Sequence, residues 1–257
     1  MINVRLQKRI RIDAIDILRG LCIILMLADH FMFIVLKANP IKNIASNENW
    51  NNLVGLCYKI FTGNVRNIIR PVVICTFFVI SGICCFNSRN NFKRGIKLAI
   101  VALLITILTY TISFVTPINI CVDFGVIHFY AVAILMWSAI SSIHNDKFKI
   151  FLVLMLFIFS LYIYIVHPKI DNNALLAIGI PSVDYIYHMD YFPVFPWISV
   201  FLVGALIGEL IFSKERLLLQ ENNSRNKLLT PFRLIGQNGL KVYMGHLPIL
   251  IAIIMAI

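Results

Sequence analysis

Residues 11–35, RIDAIDILRGLCIILMLADHFMFIV, decide the fold. Two acids and an arginine lead into an apolar run, and Asp29-His30 sits deep inside it. An α-helix turns about 100° and rises about 1.5 Å per residue. Arg19 and His30 are eleven steps apart, so they return to nearly one face, roughly 16 Å apart along the axis. Met26 lies on the same line and Asp16 within about 40° of it. One helix thus presents an acid, a guanidinium and an imidazole in one stripe bordered by apolar side chains. Ionisable groups in a membrane span are costly unless they face protein or a wet cavity, so function is expected on that stripe.

The rest of the chain agrees with a membrane reading. Of 257 residues, 60% are hydrophobic and only 14% charged, and the mean hydropathy is +0.85. Soluble domains carry about 25% charged residues. The net charge of +11 would suggest nucleic acid in a soluble protein. Here the basic residues alternate from loop to loop, which is the signature of topogenic charge, so no nucleic-acid partner is expected.

Seven apolar segments, near 14–37, 69–87, 96–116, 124–143, 148–167, 194–213 and 235–257, are each long enough to cross a bilayer. The predicted fold is all-α: a polytopic integral-membrane helix bundle of about seven transmembrane helices forming a single domain, 1–257. Arg5 to Arg11, then Arg89, Lys93, Arg94 and Lys97, then Lys147 and Lys149, then Lys214, Arg216, Arg225, Lys227 and Arg233 gather on one side. That places the N-terminus in the cytoplasm. Lys37, Lys42, Lys59, Arg66 and Arg70 in the first outer segment are an exception to the pattern. The first span is read as uncleaved, since no small-x-small cleavage site follows Ala28.

Two outer segments, 38–69 and 167–193, read as long loops without evident structure, one rich in asparagine and the other in tyrosine and aspartate. Such loops are usually either functional lids or disordered. Their aromatic residues either anchor at the headgroup level or stack on a sugar ring. The step Gly204-Ala-Leu-Ile-Gly208 allows close helix approach. Among six cysteines, only Cys57 and Cys121 fall in outer loops, which permits a disulfide between them. No residue pattern has the spacing of a metal site.

Within the spans, His30, His128 and His246 are site candidates by their type and depth, each alternatively a histidine that hydrogen-bonds between helices. Asp29 either orients an imidazole or pairs with an outer basic residue. Glu209 reads as a packing or salt-bridge residue, and Asp16 with Arg19 as an interfacial ion pair.

Several separated pieces then look familiar in combination. They are IDILRGLCIILMLADH (15–30), FFVISGICCF (77–86) with FKRGIKLAIVALLITILTY (92–110), VDFGVIHFYAVAILMW (122–137), DYFPVFPWISVFLVGALIGEL (190–210) and LIGQNGLKVYMGHLPIL (234–250). In this order they resemble the short prokaryotic members of the heparan-α-glucosaminide N-acetyltransferase catalytic-domain family, over nearly the whole chain. The resemblance implies a polytopic acetyltransferase that uses acetyl-CoA as co-substrate, with no metal. It would move acetyl to an amino sugar or another small-molecule or glycan acceptor on the outer face of a prokaryotic plasma membrane. Lysosomal members place their proposed catalytic histidine in the loop after the first span. Segment 38–69 has no histidine, so either His30 takes the role or the chemistry differs. A late first-span histidine after LRG also resembles the separate O-acyltransferase family of the same group.

On this reading His30 is the base, with Asp29, His128 and His246 as further catalytic candidates. Arg19, Lys93 and Arg94 would meet CoA phosphates. Asp190 and Trp197 would bind the acceptor. Association into a homo-oligomer stays an open alternative. The competing reading is a small proton-coupled permease or channel built on the intramembrane His and Asp residues, against which stands the lack of internal repeats.

Overall fold

The computed structural model describes residues 12–42, 48–115, 120–185, 190–212 and 227–256. Among them the chain is all-α, with one isolated bridge between Ile170 and Ser182 in place of any strand. Two compact units emerge, one from residues up to Phe77 and from Leu217 onward, the other from Phe78 to Arg216. Arg5, Lys8, Arg9, Arg11, Lys214, Arg216 and Arg225, used in the charge pattern above, lie outside the described residues.

In the first unit, α1 (Asp13–Lys42) begins with Asp13 and Asp16 in its first turn, where carboxylates meet the positive end of the helix dipole. Against it lies α8 (Thr230–Gln237), with a proline in its first turn, followed by α9 (Gly239–Ala256). Two glycines set this contact. A Cβ on Gly20 would run into the Phe232 carbonyl, and one on Gly236 into the Asp16 carbonyl. The LRG and IGQNG pieces of the sequence are therefore the two sides of one backbone-to-backbone contact. Arg233 reaches Asp13 at 3.0 Å and Gln237 donates to Asp16 at 3.1 Å, so polar side chains latch the same interface.

The segment 38–69, expected to be a loop, contains α2 (Glu48–Phe61) and the start of α3 (Asn64–Ile83). Trp50, Leu53, Val54 and Cys57 recur at helical spacing and pack with Val35 and Ile254, while the asparagines at 51 and 52 face out. The asparagine-rich composition hid this apolar stripe. Trp50 Nε1 also donates to Asn39 at 3.0 Å. Cys57 is a reduced thiol inside that cluster, with burial pushing it up from the usual thiol range. The disulfide with Cys121 that the sequence permitted is not formed.

In the second unit, α4 (Asn91–Val115) starts where Asn90 accepts the Lys93 N–H at 2.8 Å. It lies along α5 (Val126–Ser141), with Gly95 fitted under the Leu135 side chain. Asn145 caps α6 (Asp146–Val166) by accepting from Phe148 N at 3.2 Å. Finally α7 (Val194–Ile207) runs into a π-helical turn, Gly208–Phe212. Gly204 and Gly208 lie against the Val79 and Ile83 carbonyls, as the small-xxx-small step predicted. Within the segment 167–193, the Ala177 and Ile178 carbonyls accept from Val194 and Phe195 N–H at 2.8 and 2.9 Å.

Each of the seven expected apolar segments appears as a helix. Among the described residues, four are long and apolar enough to cross a membrane, namely Asp13–Asn39, Asn64–Asn87, Asn91–Val115 and Asp146–Val166. Val126–Ser141, Val194–Leu210 and Gly239–Ile254 are apolar but shorter. Leu103, Leu104, Ile107 and Leu108 on α4, like Leu154, Ile158, Leu161 and Ile165 on α6, turn their side chains outward. Apolar rows on the outside are what a bilayer, not water, selects. The protein is a membrane helix bundle.

Lys149 departs from the sequence reading. Counted among loop charges, it is only 3% exposed. Its Nζ lies 2.5 Å from Glu209 Oε1 in the π-helical turn and 3.6 Å from Asp146. Glu209 is thus the salt-bridge residue expected. Removing one member strands a buried charge, which typically costs about 3–5 kcal/mol, whereas an apolar pair of similar volume is tolerated. Glu209→Leu alone, which strands the buried Lys149 ammonium, should therefore lower the unfolding temperature in detergent markedly, and Lys149→Met with Glu209→Leu should recover most of the loss. Thermal unfolding of the three proteins checks this.

Candidate active site

The site is built on α1. Its stripe leads from Asp16 and Arg19 at one end to His30 in the second half of the helix. Asp16 and His30 are both buried. Opposite His30 stands His246 of α9, itself 4% exposed. His30 Nδ1 and His246 Nε2 are 2.8 Å apart. The ring centroids are 4.9 Å apart with planes only 18° from parallel. With the nitrogens in hydrogen-bond contact, that separation places the rings edge to edge and nearly coplanar rather than face to face. The in-plane lone pair of one nitrogen is then aimed along the N–H of the other. The far nitrogen of this second ring, His246 Nδ1, bonds to the Tyr243 carbonyl one turn back.

Asp29, the neighbour of His30, is held elsewhere. Arg66 grips both its oxygens, with Nε at 2.5 Å and Nη2 at 3.1 Å, and Arg70 Nε stands 3.6 Å from Oδ2. Of the two alternatives left by the sequence, the geometry is that of an acid paired with basic residues. Arg66 also lies over the Phe61 ring at 3.7 Å and donates to the Phe61 carbonyl. The basic residues that broke the positive-inside pattern thus include the counter-charges of an intramembrane carboxylate. Their i, i+4 spacing in an apolar stretch was the readable signal.

At the other end of the stripe, Arg19 Nη1 lies 3.6 Å from Asp16 Oδ1, and Gln237 completes that carboxylate. This is the interfacial ion pair expected from spacing, with α8 as an addition the sequence did not reveal.

The remaining candidates belong to the second unit. His128 Nδ1 accepts the Gly125 N–H at 3.2 Å, so the ring proton is on Nε2, 2.9 Å from Thr106 Oγ1. The threonine hydroxyl in turn reaches the Val122 carbonyl at 3.0 Å. Both nitrogens of His128 are therefore occupied in fixing the start of α5. Asp190, 3% exposed, accepts the Val126 N–H at 3.2 Å and serves the same helix end. A Cβ on Gly125 would collide with its carboxylate. Trp197 is half-buried and meets Phe78 edge-on at 5.6 Å and Phe192 at 6.1 Å. Arg94 Nη1 lies 4.0 Å from Cys85 Sγ, and Lys93 is exposed on the first turn of α4. Asp123, not singled out from sequence, accepts from the hydroxyls of Tyr110 and, at 2.9 Å, Tyr185. Burial and this bond push the Tyr185 phenol up, so it stays a donor.

Among the described residues, no three metal-ligating side chains come together. What the first unit does offer is a pair of imidazoles in direct contact within apolar helices. Such a pair can relay a proton through the ring nitrogens.

No curated protein and no solved structure matches the chain. The family described as Heparan-alpha-glucosaminide N-acetyltransferase, catalytic, matches residues 11–248, a span that contains both histidines of the pair and the Gly20–Gly236 contact. By that match over most of its length, the chain belongs to the heparan-α-glucosaminide N-acetyltransferase catalytic-domain family of membrane acetyltransferases.

Proposed function

We propose that the protein transfers acetyl from cytoplasmic acetyl-CoA to an amino sugar or other glycan acceptor on the outer face of a prokaryotic plasma membrane, with His30 as the general base. The single observation behind this is the 2.8 Å contact between His30 and His246, two buried imidazoles inside the family-matched region. With an amine acceptor, nitrogen attacks the thioester carbonyl, the C–N bond forms and the C–S bond breaks. The proton lost by nitrogen passes to His30 and ends on the CoA thiol. Candidates for the CoA phosphates are Arg19 and, separately, Lys93 and Arg94, by charge and donor geometry. Trp197 is kept as an acceptor-stacking candidate and Asp190 as a residue that shapes the start of α5.

The test is thiol release. Purified protein in detergent, given acetyl-CoA and glucosamine or a related amino sugar, is expected to liberate free CoA thiol and form the N-acetyl product. A permease would give solute flux in vesicles and no thiol. Flux without thiol release, across a panel of amine and hydroxyl acceptors, would sink the enzyme reading.

A further inference from the structure

We infer that His246 is a positioning residue that sets the tautomer of His30, so that Nε2 of His30 is the atom that takes the acceptor's proton; this rests on the reading of His30 as the base. The argument begins at the far end of the hydrogen-bond chain. The Tyr243 carbonyl can only accept, so His246 Nδ1 bears the hydrogen of that bond. A neutral imidazole has one N–H, which leaves His246 Nε2 with a lone pair. His30 Nδ1, 2.8 Å away and nearly in plane, must then be the donor. The lone pair of His30 is thereby confined to Nε2.

The reverse polarity would require His246 as an imidazolium that donates from both nitrogens. A buried cation needs a compensating acid. The acid nearest in sequence to His30 is Asp29, and its two oxygens are already gripped by Arg66 with Arg70 beside it. Of the charged side chains on α1 and α3 around this pair, the two guanidiniums outnumber the one carboxylate. Further along, Lys37 lies over the Phe33 ring on α1, and α9 carries Lys241 and no acid; the other acids of α1, Asp13 and Asp16, stand in its first turn and are taken by Arg233, Arg19 and Gln237. The neutral, directional chain is the one these surroundings favour.

The chemical consequence concerns the charge that develops during transfer. As the acceptor's proton moves to Nε2, His30 becomes an imidazolium, and its Nδ1–H bond to His246 becomes charge-assisted and stronger. His246 thus stabilises the state formed in the reaction more than the resting one, as differential binding requires. The proton then leaves Nε2 for the CoA thiolate, and both histidines return to their starting tautomers.

Two variants and one spectrum test this. His246→Gln places an amide oxygen where Nε2 stood and can still accept from His30. His246→Leu fills the space and cannot. The leucine protein is expected to lose about 100-fold in kcat, with KM for acetyl-CoA unchanged. The acidic limb of its pH profile should move to lower pH, because the imidazolium of His30 has lost its acceptor. The glutamine protein should stay within about tenfold of the parent. Nitrogen NMR of the 15N-histidine-labelled full chain, with the His30 signals assigned by a His30→Asn difference, is expected to show a protonated Nδ1 and a bare Nε2 at neutral pH. A leucine variant as active as the parent, equal losses in both variants with an unmoved pH limb, or a bare Nδ1 on His30 would each overturn the inference. The spectrum reads the tautomer without turnover. An inactive parent with the expected spectrum would therefore reject the enzyme reading and leave the tautomer assignment standing.

Discussion

His30→Ala should reduce acetyl transfer by about 10²–10⁴-fold, the usual contribution of a positioned general base, while the protein still inserts and runs as a folded species. The side chain is buried and its main contact is one bond to His246, so its removal leaves a small polar cavity rather than a broken core. His128→Ala should behave differently. There both ring nitrogens hold the start of α5, and losing a helix cap costs about 0.5–2 kcal/mol of stability. Turnover per folded molecule should stay within a few-fold, measured beside the thermal midpoint. Equal kinetic damage from both replacements would mean that the two histidines share the chemistry, contrary to their contacts.

The second large effect is expected at glycines. Gly20→Ala and Gly236→Ala should each destabilise the protein severely, because the added Cβ meets main-chain carbonyls of Phe232 and Asp16 that cannot rotate away. Overpacking of this kind costs about 1–3 kcal/mol or more, and the Asp16–Gln237 and Asp13–Arg233 latches would be strained with it. Gly55→Ala is the control. Nothing lies within 4 Å of a Cβ there, and replacing glycine inside a helix gains up to about 1 kcal/mol. Unfolding temperatures in detergent should fall for the first two and hold or rise for the third. Similar outcomes at all three positions would dismiss the close α1–α8 contact.

The membrane class and the placement of the apolar helices were legible because a bilayer demands long apolar runs, and such runs are local in sequence. The shared face of Asp16, Arg19 and His30 on one helix was legible for the same reason, since a stripe of ionisable groups is a local property. What was not legible is partnership. Nothing in the sequence links His30 to His246, 216 positions away, beyond both being histidines at depth. Asp29 was left between two roles because the choice depended on Arg66 and Arg70, which read as stray loop charges until α3 was seen to start at Asn64. Helix α2 was missed because its apolar stripe is narrow and its polar face is rich in asparagine, which composition reads as loop. His128 and Asp190 read as chemistry because depth and type are visible in sequence, whereas their service to the first turn of α5 is visible only in three dimensions.

The closure of α8 and α9 onto α1 also bears on how the molecule is made. The first helix leaves the ribosome long before its partner exists, and the intervening helices must be threaded into the bilayer in the meantime. During that interval His30 has no imidazole beside it and Gly20 no carbonyl against it. The histidine pair and the tight glycine seam are therefore completed together and late, when α8 and α9 dock on α1.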